Sequence, residues 1–132
     1  MDRFEEGAML GDGKAAATIP VKDIEVAKRF YNDKLGLKAD TSTEDGVLIY
    51  KSGDSKVLVY QSEFAGTNKA TAATWEVGDV EREVKVLKDK GIAFEHYDMP
   101  GMTRQGDLHT AGESRAAWFK DPDGNILAIV GK

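Results

Sequence analysis

The chain has no cysteine, three prolines and only two histidines among its 132 residues. Without cysteine there is no disulfide, no thiolate metal site and no cysteine nucleophile. That composition suits a reducing compartment, and a cytoplasmic location is expected. Basic charge is short as well. Eighteen Lys and Arg stand against twenty-three Asp and Glu, a formal charge of −5. Neither nucleic acid nor an anionic membrane surface is an expected partner, because both select for basic patches. No apolar run approaches the ~20 residues of a membrane-spanning helix. Residues 1–14 carry acids where a secretion signal carries bases. Their Gly11-Asp12-Gly13-Lys14 falls short of a phosphate loop, with Ala8 at the first glycine position and Ala15 at the hydroxyl position. This stretch reads as a flexible entry.

What is present is enough for a core: 41% of residues are hydrophobic and 31% charged. Residues 15–132 read as one domain made of two modules. In module one (15–61) a strand over 15–21 precedes Asp23, a good helix N-cap. Ile24, Ala27, Tyr31 and Leu35 recur at helical spacing, Phe30 broadens the stripe, and Gly36 stops it. Strands are predicted over 37–43, 47–51 and 56–61. After a polar linker (62–69) the pattern restarts in module two (70–130). It has a strand over 70–77, Asp79 as cap, a helix with Val80, Val84 and Leu87 ending at Gly91, and strands over 93–97, 115–119 and 125–130. An offset of 56 residues superposes Ala16-Ala17-Thr18 on Ala72-Ala73-Thr74, Val21 on Val77, and Asp23 on Asp79.

The expected fold is therefore α+β. Two βαβββ modules form a curved mixed sheet or half-barrel cup with the helices outside. Strand alternation sends Ala17, Ile19, Val21, Ala73, Trp75 and Val77 toward the helices, and Leu58 and Tyr60 with them. Ala16, Thr18, Pro20, Ala72, Thr74, Glu76, Ile126, Ala128 and Val130 are then expected to line the concavity. Trp118 and Phe119 must point to opposite faces, and the hairpin register decides which is which.

The closing stretch, Phe119-Lys120-Asp121-Pro122-Asp123-Gly124-Asn125 before an apolar strand, resembles the final hairpin of the glyoxalase/bleomycin-resistance/dioxygenase (vicinal oxygen chelate) superfamily. Val-x-Asp-Ile/Val-Glu opening each helix and Phe30-Tyr31-x-x-x-Leu35-Gly36-Leu37 closing the first extend the resemblance from residue 15 to 130. It implies paired modules forming a cup, and a homodimer with two pockets. In metal-dependent relatives the four ligands would fall on Ala16, Val59, Ala72 and Ala128. None offers a nitrogen or oxygen donor, so no metal and no other cofactor is expected.

Function is sought elsewhere in the cup. Thr18, Thr74, Val59, Trp118, Arg104, His109 and Ala128 are the ligand-binding candidates. Residues 98–113 exceed an ordinary connection and read as a loop, with glycines as hinges and Met99, Met102 and Leu108 as adaptable contacts of a lid. Glu76, Glu95, His96, His109 and Glu113 are the acid/base candidates. The leading expectation is a metal-independent protein binding a small organic molecule, aromatic or, given the acidic charge, cationic. The alternative is a metal-independent lyase or isomerase using the 95–113 region. A third reading is a domain that acts through its dimer surface alone.

Overall fold

The computed structural model describes residues 10–12, 14–40 and 46–132. Most of the expected flexible entry (residues 1–9 and 13) lies outside the described residues, as do 41–45 at the end of the strand expected over 37–43. Module one comprises β1 (Ala17–Val21), α1 (Ile24–Lys28), β2 (Lys38–Ala39), β3 (Val47–Ser52) and β4 (Ser55–Gln61). Module two comprises β5 (Thr71–Val77), α2 (Val80–Asp89), β6 (Phe94–Glu95), β7 (Thr103–Gln105), β8 (Leu108–Ala111), β9 (Ser114–Lys120) and β10 (Ile126–Gly131). The strands form two open mixed sheets, ordered β1-β4-β3-β2 and β5-β10-β9-β8-β7, with β6 also paired to β9. In each, the first strand runs parallel to the last. No described helix is long and apolar enough to cross a membrane.

Both helices start where an aspartate can cap them. The Asp23 carboxylate accepts the backbone N–H of Glu25 at 2.9 Å and of Val26 at 3.3 Å. Asp79, one repeat later, accepts that of Arg82 at 3.1 Å. These satisfy N–H groups that have no partner within the helix. Helix α1 then widens into a π-helical stretch, Arg29–Lys34, closed by Leu35 N–H to the Phe30 carbonyl at 3.0 Å. In that wide turn the sequence neighbours Phe30 and Tyr31 are both buried. Phe30 reaches Phe119 of the other module, with ring centroids 6.4 Å apart. The helix-side core is thus shared, joining Ile19, Tyr50 and Val59 to Val84, Phe119 and Leu127.

Residues 98–113 are not the structureless loop read from the sequence. They contain a β-hairpin, β7–β8, whose second strand pairs antiparallel with β9 through His109↔Ala116 and Thr110↔Arg115. Gly106, at φ 61°, makes the tight turn possible. The backbone groups of this segment are spent on extending the sheet.

The final turn locks the modules together. One Asp121 carboxylate oxygen accepts the N–H groups of Asp123 (3.0 Å) and Asn125 (2.9 Å). The other accepts the Tyr31 hydroxyl (2.7 Å) and the Asn125 amide (2.8 Å). Asn125 also donates to the Pro20 carbonyl at 2.7 Å. Tyr31 is fully buried, and burial, reinforced by the charge and hydrogen bond of Asp121, pushes its phenol pKa far above the ordinary value. Tyr31→Phe should cost about 1–3 kcal/mol, because it strips a donor from a buried carboxylate. Urea unfolding should show a lower midpoint at unchanged m-value; an unmoved midpoint would remove Tyr31 from this role.

Candidate functional site

Strand pairing decides which side chains share the cup. On β9, Ala117 and Phe119 join the helix-side core, whereas Ala116 and Trp118 form a second buried cluster with Ala128 on the opposite face. Tyr97, Met102, Ile126 and Val130 pack around that cluster. Trp118 is therefore the tryptophan of the cup and Phe119 belongs to the core.

In module one the register corrects the alternation inferred from sequence. Val57 and Val59 pair with Ala17 and Ile19 and are buried on the helix side. Leu58 and Tyr60, expected there, are half-buried opposite Thr18 and Pro20 on the other face. Thr18 pairs with Leu58 as Thr74 pairs with Ala128. Leu58, not Val59, is thus the counterpart of Ala128, and Val59 does not line the cup. A second departure lies in β5. Its register on β10 slips between Ile126↔Thr71 and Leu127↔Ala73, leaving Ala72 without a partner in the ladder. Ala72 packs against the helix-side core instead of lining the concavity. Thr71 turns to the cup, where its hydroxyl oxygen accepts the Trp118 indole N–H at 3.1 Å.

These side chains help to bound a cavity of about 340 Å³ lined by Lys69, Ala70, Thr71, Tyr97, Met99, Trp118 and Ile126. Tyr97 meets Trp118 edge-on at 5.6 Å, and His109 meets Trp118 edge-on at 4.8 Å. His109 is 1% exposed. Its Nε2 accepts the Tyr97 backbone N–H at 3.0 Å, which places the ring proton on Nδ1. Neither that Nδ1 nor the buried Tyr97 hydroxyl has a hydrogen-bond partner among the described residues. Burial, with a smaller contribution from Glu95, raises the Tyr97 pKa, so its phenol stays protonated.

The other candidates are scattered. Thr18, Thr74 and Glu76 are exposed on their strands, and Glu113 is exposed in the β8–β9 turn. Arg104 lies opposite His109 in the hairpin, but its exposed guanidinium donates to the Gly106 carbonyl at 3.0 Å. Glu95 sits opposite Trp118, 3.8 Å from the Lys120 ammonium. His96 is outside the cup: its Nε2 lies 2.8 Å from Asp107, which also binds Lys88 at 2.7 Å. The acid/base candidates therefore do not converge. Sequence reasoning left Thr71 and Lys69 out of the site, because a bulge among alanines and the course of a polar linker carry no local signal. Tyr97 was reachable by alternation from Glu95.

The metal-ligand positions fare no better in space than in sequence. Ala16 is exposed, Ala72 faces the core, and Leu58 and Ala128 are hydrocarbon. The donor set does not fit a divalent ion. No group of three or more His, Asp or Glu among the described residues could hold one either.

The model of the Glyoxalase/Bleomycin resistance protein/Dioxygenase superfamily matches residues 15–129. No curated protein matches the chain. Among solved structures, a glyoxalase family protein from Enterococcus faecalis is 19% identical, with a TM-score of 0.68 over 92% of this chain and 99% of that one. A lactoylglutathione lyase from Agrobacterium tumefaciens is 16% identical, TM-score 0.67, over 91% and 93%. TnmS3, an antibiotic binding protein from Streptomyces sp. CB03234, is 20% identical, TM-score 0.64, over 92% and 97%. At these identities the likeness is one of fold.

Hydrogen bonds from Lys88 first, then His96, hold the Asp107 carboxyl below the usual carboxylate range. A carboxylate so lowered contributes stability above its unfolded value of about 4 and loses it as pH falls through the folded one. Asp107→Asn should therefore be less stable than wild type in urea at pH 7. The gap should close as pH drops below about 4; a gap constant with pH would contradict the clasp.

Proposed function

Because the chain belongs to the glyoxalase/bleomycin resistance/dioxygenase superfamily yet lacks its metal ligands, we propose that it is a metal-independent binding protein for a small planar organic molecule. The observation that carries this reading is the cavity walled by Trp118, Tyr97, Met99 and Ile126, with the Thr71 hydroxyl and Lys69 in its lining. Such a mostly apolar concavity with few polar groups is the usual form of a small-molecule site. That one structural neighbour is an antibiotic binding protein supports binding as a use of this fold. Catalysis has less support. His109 has a ring nitrogen unpartnered among the described residues, but the ring is buried against Trp118 and the other acid/base candidates do not converge on it.

The protein works as a homodimer in this reading, in a reducing cytoplasm suited to its lack of cysteine. Val47, Ile49, Leu58 and Tyr60 form a half-exposed apolar sheet face in module one, and a second copy would cover it. An Ile49→Arg substitution should return a monomer by sedimentation, with its fold intact; an unchanged dimer would move the interface elsewhere.

The direct test is a thermal-shift screen of chelator-treated protein, with Mg²⁺, Mn²⁺, Fe²⁺, Ni²⁺ and Zn²⁺ offered singly and then a panel of planar aromatic compounds. A ligand present at a hundred times its Kd should contribute about 2.7 kcal/mol, on the order of 10 °C for a chain of this size. Trp118→Ala should abolish that shift. A large shift with one metal would overturn the metal-independent reading.

A further inference from the structure

Resting on the reading of this cavity as a binding cup, we infer that its ligand is a small aromatic anion. Its charged group would be met by Lys69 and Thr71, and its ring by Trp118. The cavity wall is uneven in hydrogen-bonding sense. Thr71 Oγ1 already accepts the Trp118 indole N–H at 3.1 Å, which leaves the Thr71 hydroxyl hydrogen to donate elsewhere. The Tyr97 hydroxyl is buried, protonated and without a partner among the described residues. Lys69 is the one charged side chain of the lining and can only donate. No lining side chain is a carboxylate or an amide. Glu95, the acid that acts on Tyr97, is outside the lining and lies 3.8 Å from Lys120.

The free donors of this lining, the Lys69 ammonium and the Thr71 hydroxyl hydrogen, are completed by an acceptor. A carboxylate or phenolate supplies several acceptor positions and the negative charge that pairs with the Lys69 ammonium. The formal charge of −5 pointed toward cationic ligands. Beyond about 8–10 Å, however, exposed charges are screened, and the nearest charge decides. Here that charge is positive. At about 340 Å³ the cavity sits at the low end for ligand sites, which favours one ring or two fused rings over a large antibiotic.

The test is isothermal titration of the full chain at pH 7.5 with three compounds that share one ring system: 2-naphthoate, 2-naphthylmethanol and 2-naphthylmethylammonium. Naphthoate should bind roughly tenfold tighter than the alcohol, the scale of a charge-assisted hydrogen bond, and tighter still than the ammonium. Lys69→Met, an exposed substitution, should remove most of that preference. If the alcohol or the ammonium binds as well as naphthoate, the inference fails and the aromatic cup stands. If none of the three binds, the cup reading falls and the inference with it.

Discussion

Asp121 is the group on which the arrangement of both modules depends. Its carboxylate is 5% exposed as a residue and accepts four hydrogen bonds, from Tyr31, Asp123 and twice from Asn125. A buried carboxylate is tolerable only when so satisfied. Each partner then fixes another part of the chain. Tyr31 belongs to the π-helical turn of module one, and Asn125 bonds the Pro20 carbonyl at the end of β1. The Asn125 side-chain oxygen accepts Gly66 N–H from the linker, and Asp123 accepts Lys22 N–H. Gly66 lies so close that a Cβ there would collide with the Asp123 carbonyl. One turn thus holds strand, helix and linker, and the edges of β1 and β5 come together beside it.

This explains why the fold was the legible part of the sequence. The Asp-Pro-Asp-Gly-Asn turn and the caps Asp23 and Asp79 each do a local job that only a few residue types can do. Such jobs leave a mark in sequence. The β7–β8 hairpin also left one, a Gly106-Asp107 turn between short strand-like runs, but it was overshadowed by the length and polarity of residues 98–113. Register left much less. Strand β4 carries no anchoring motif, so the one-residue error at Val59 exchanged the two faces of that strand at once. The repeat itself held the remedy, since Thr18 and Thr74 are equivalent and Ala128 faces Thr74.

The candidate site was legible only in part, for a different reason. Alternation placed Ile126 and Ala128 and narrowed Trp118 and Phe119 to two choices, because those depend on one ladder. Thr71 enters the cup only through a bulge, and nothing in Thr71-Ala72-Ala73-Thr74 distinguishes a slipped register from a regular one. His109 read as a lid or rim residue because it was assigned to a loop. Once β8 pairs with β9, the same residue is a buried histidine on the face of Ala116 and Trp118, its ring edge-on to the indole.

That placement bears on what the cup can do. Acid/base chemistry needs a group that can reach the reacting atom and change protonation during the reaction. The Tyr97 backbone N–H occupies Nε2 of His109, and the ring, buried against Trp118, is not among the side chains that line the cavity. A protonated His109 would turn two N–H groups toward each other at that contact. The imidazole is therefore better suited to fixing Trp118 and Tyr97 than to moving protons. Rigid aromatics cost little conformational entropy when a ligand arrives, which is an advantage for binding and gives no leverage on a transition state. In the proposed reading, recognition falls to an edge-to-face aromatic wall braced by His109, with the Thr71 hydroxyl beside it.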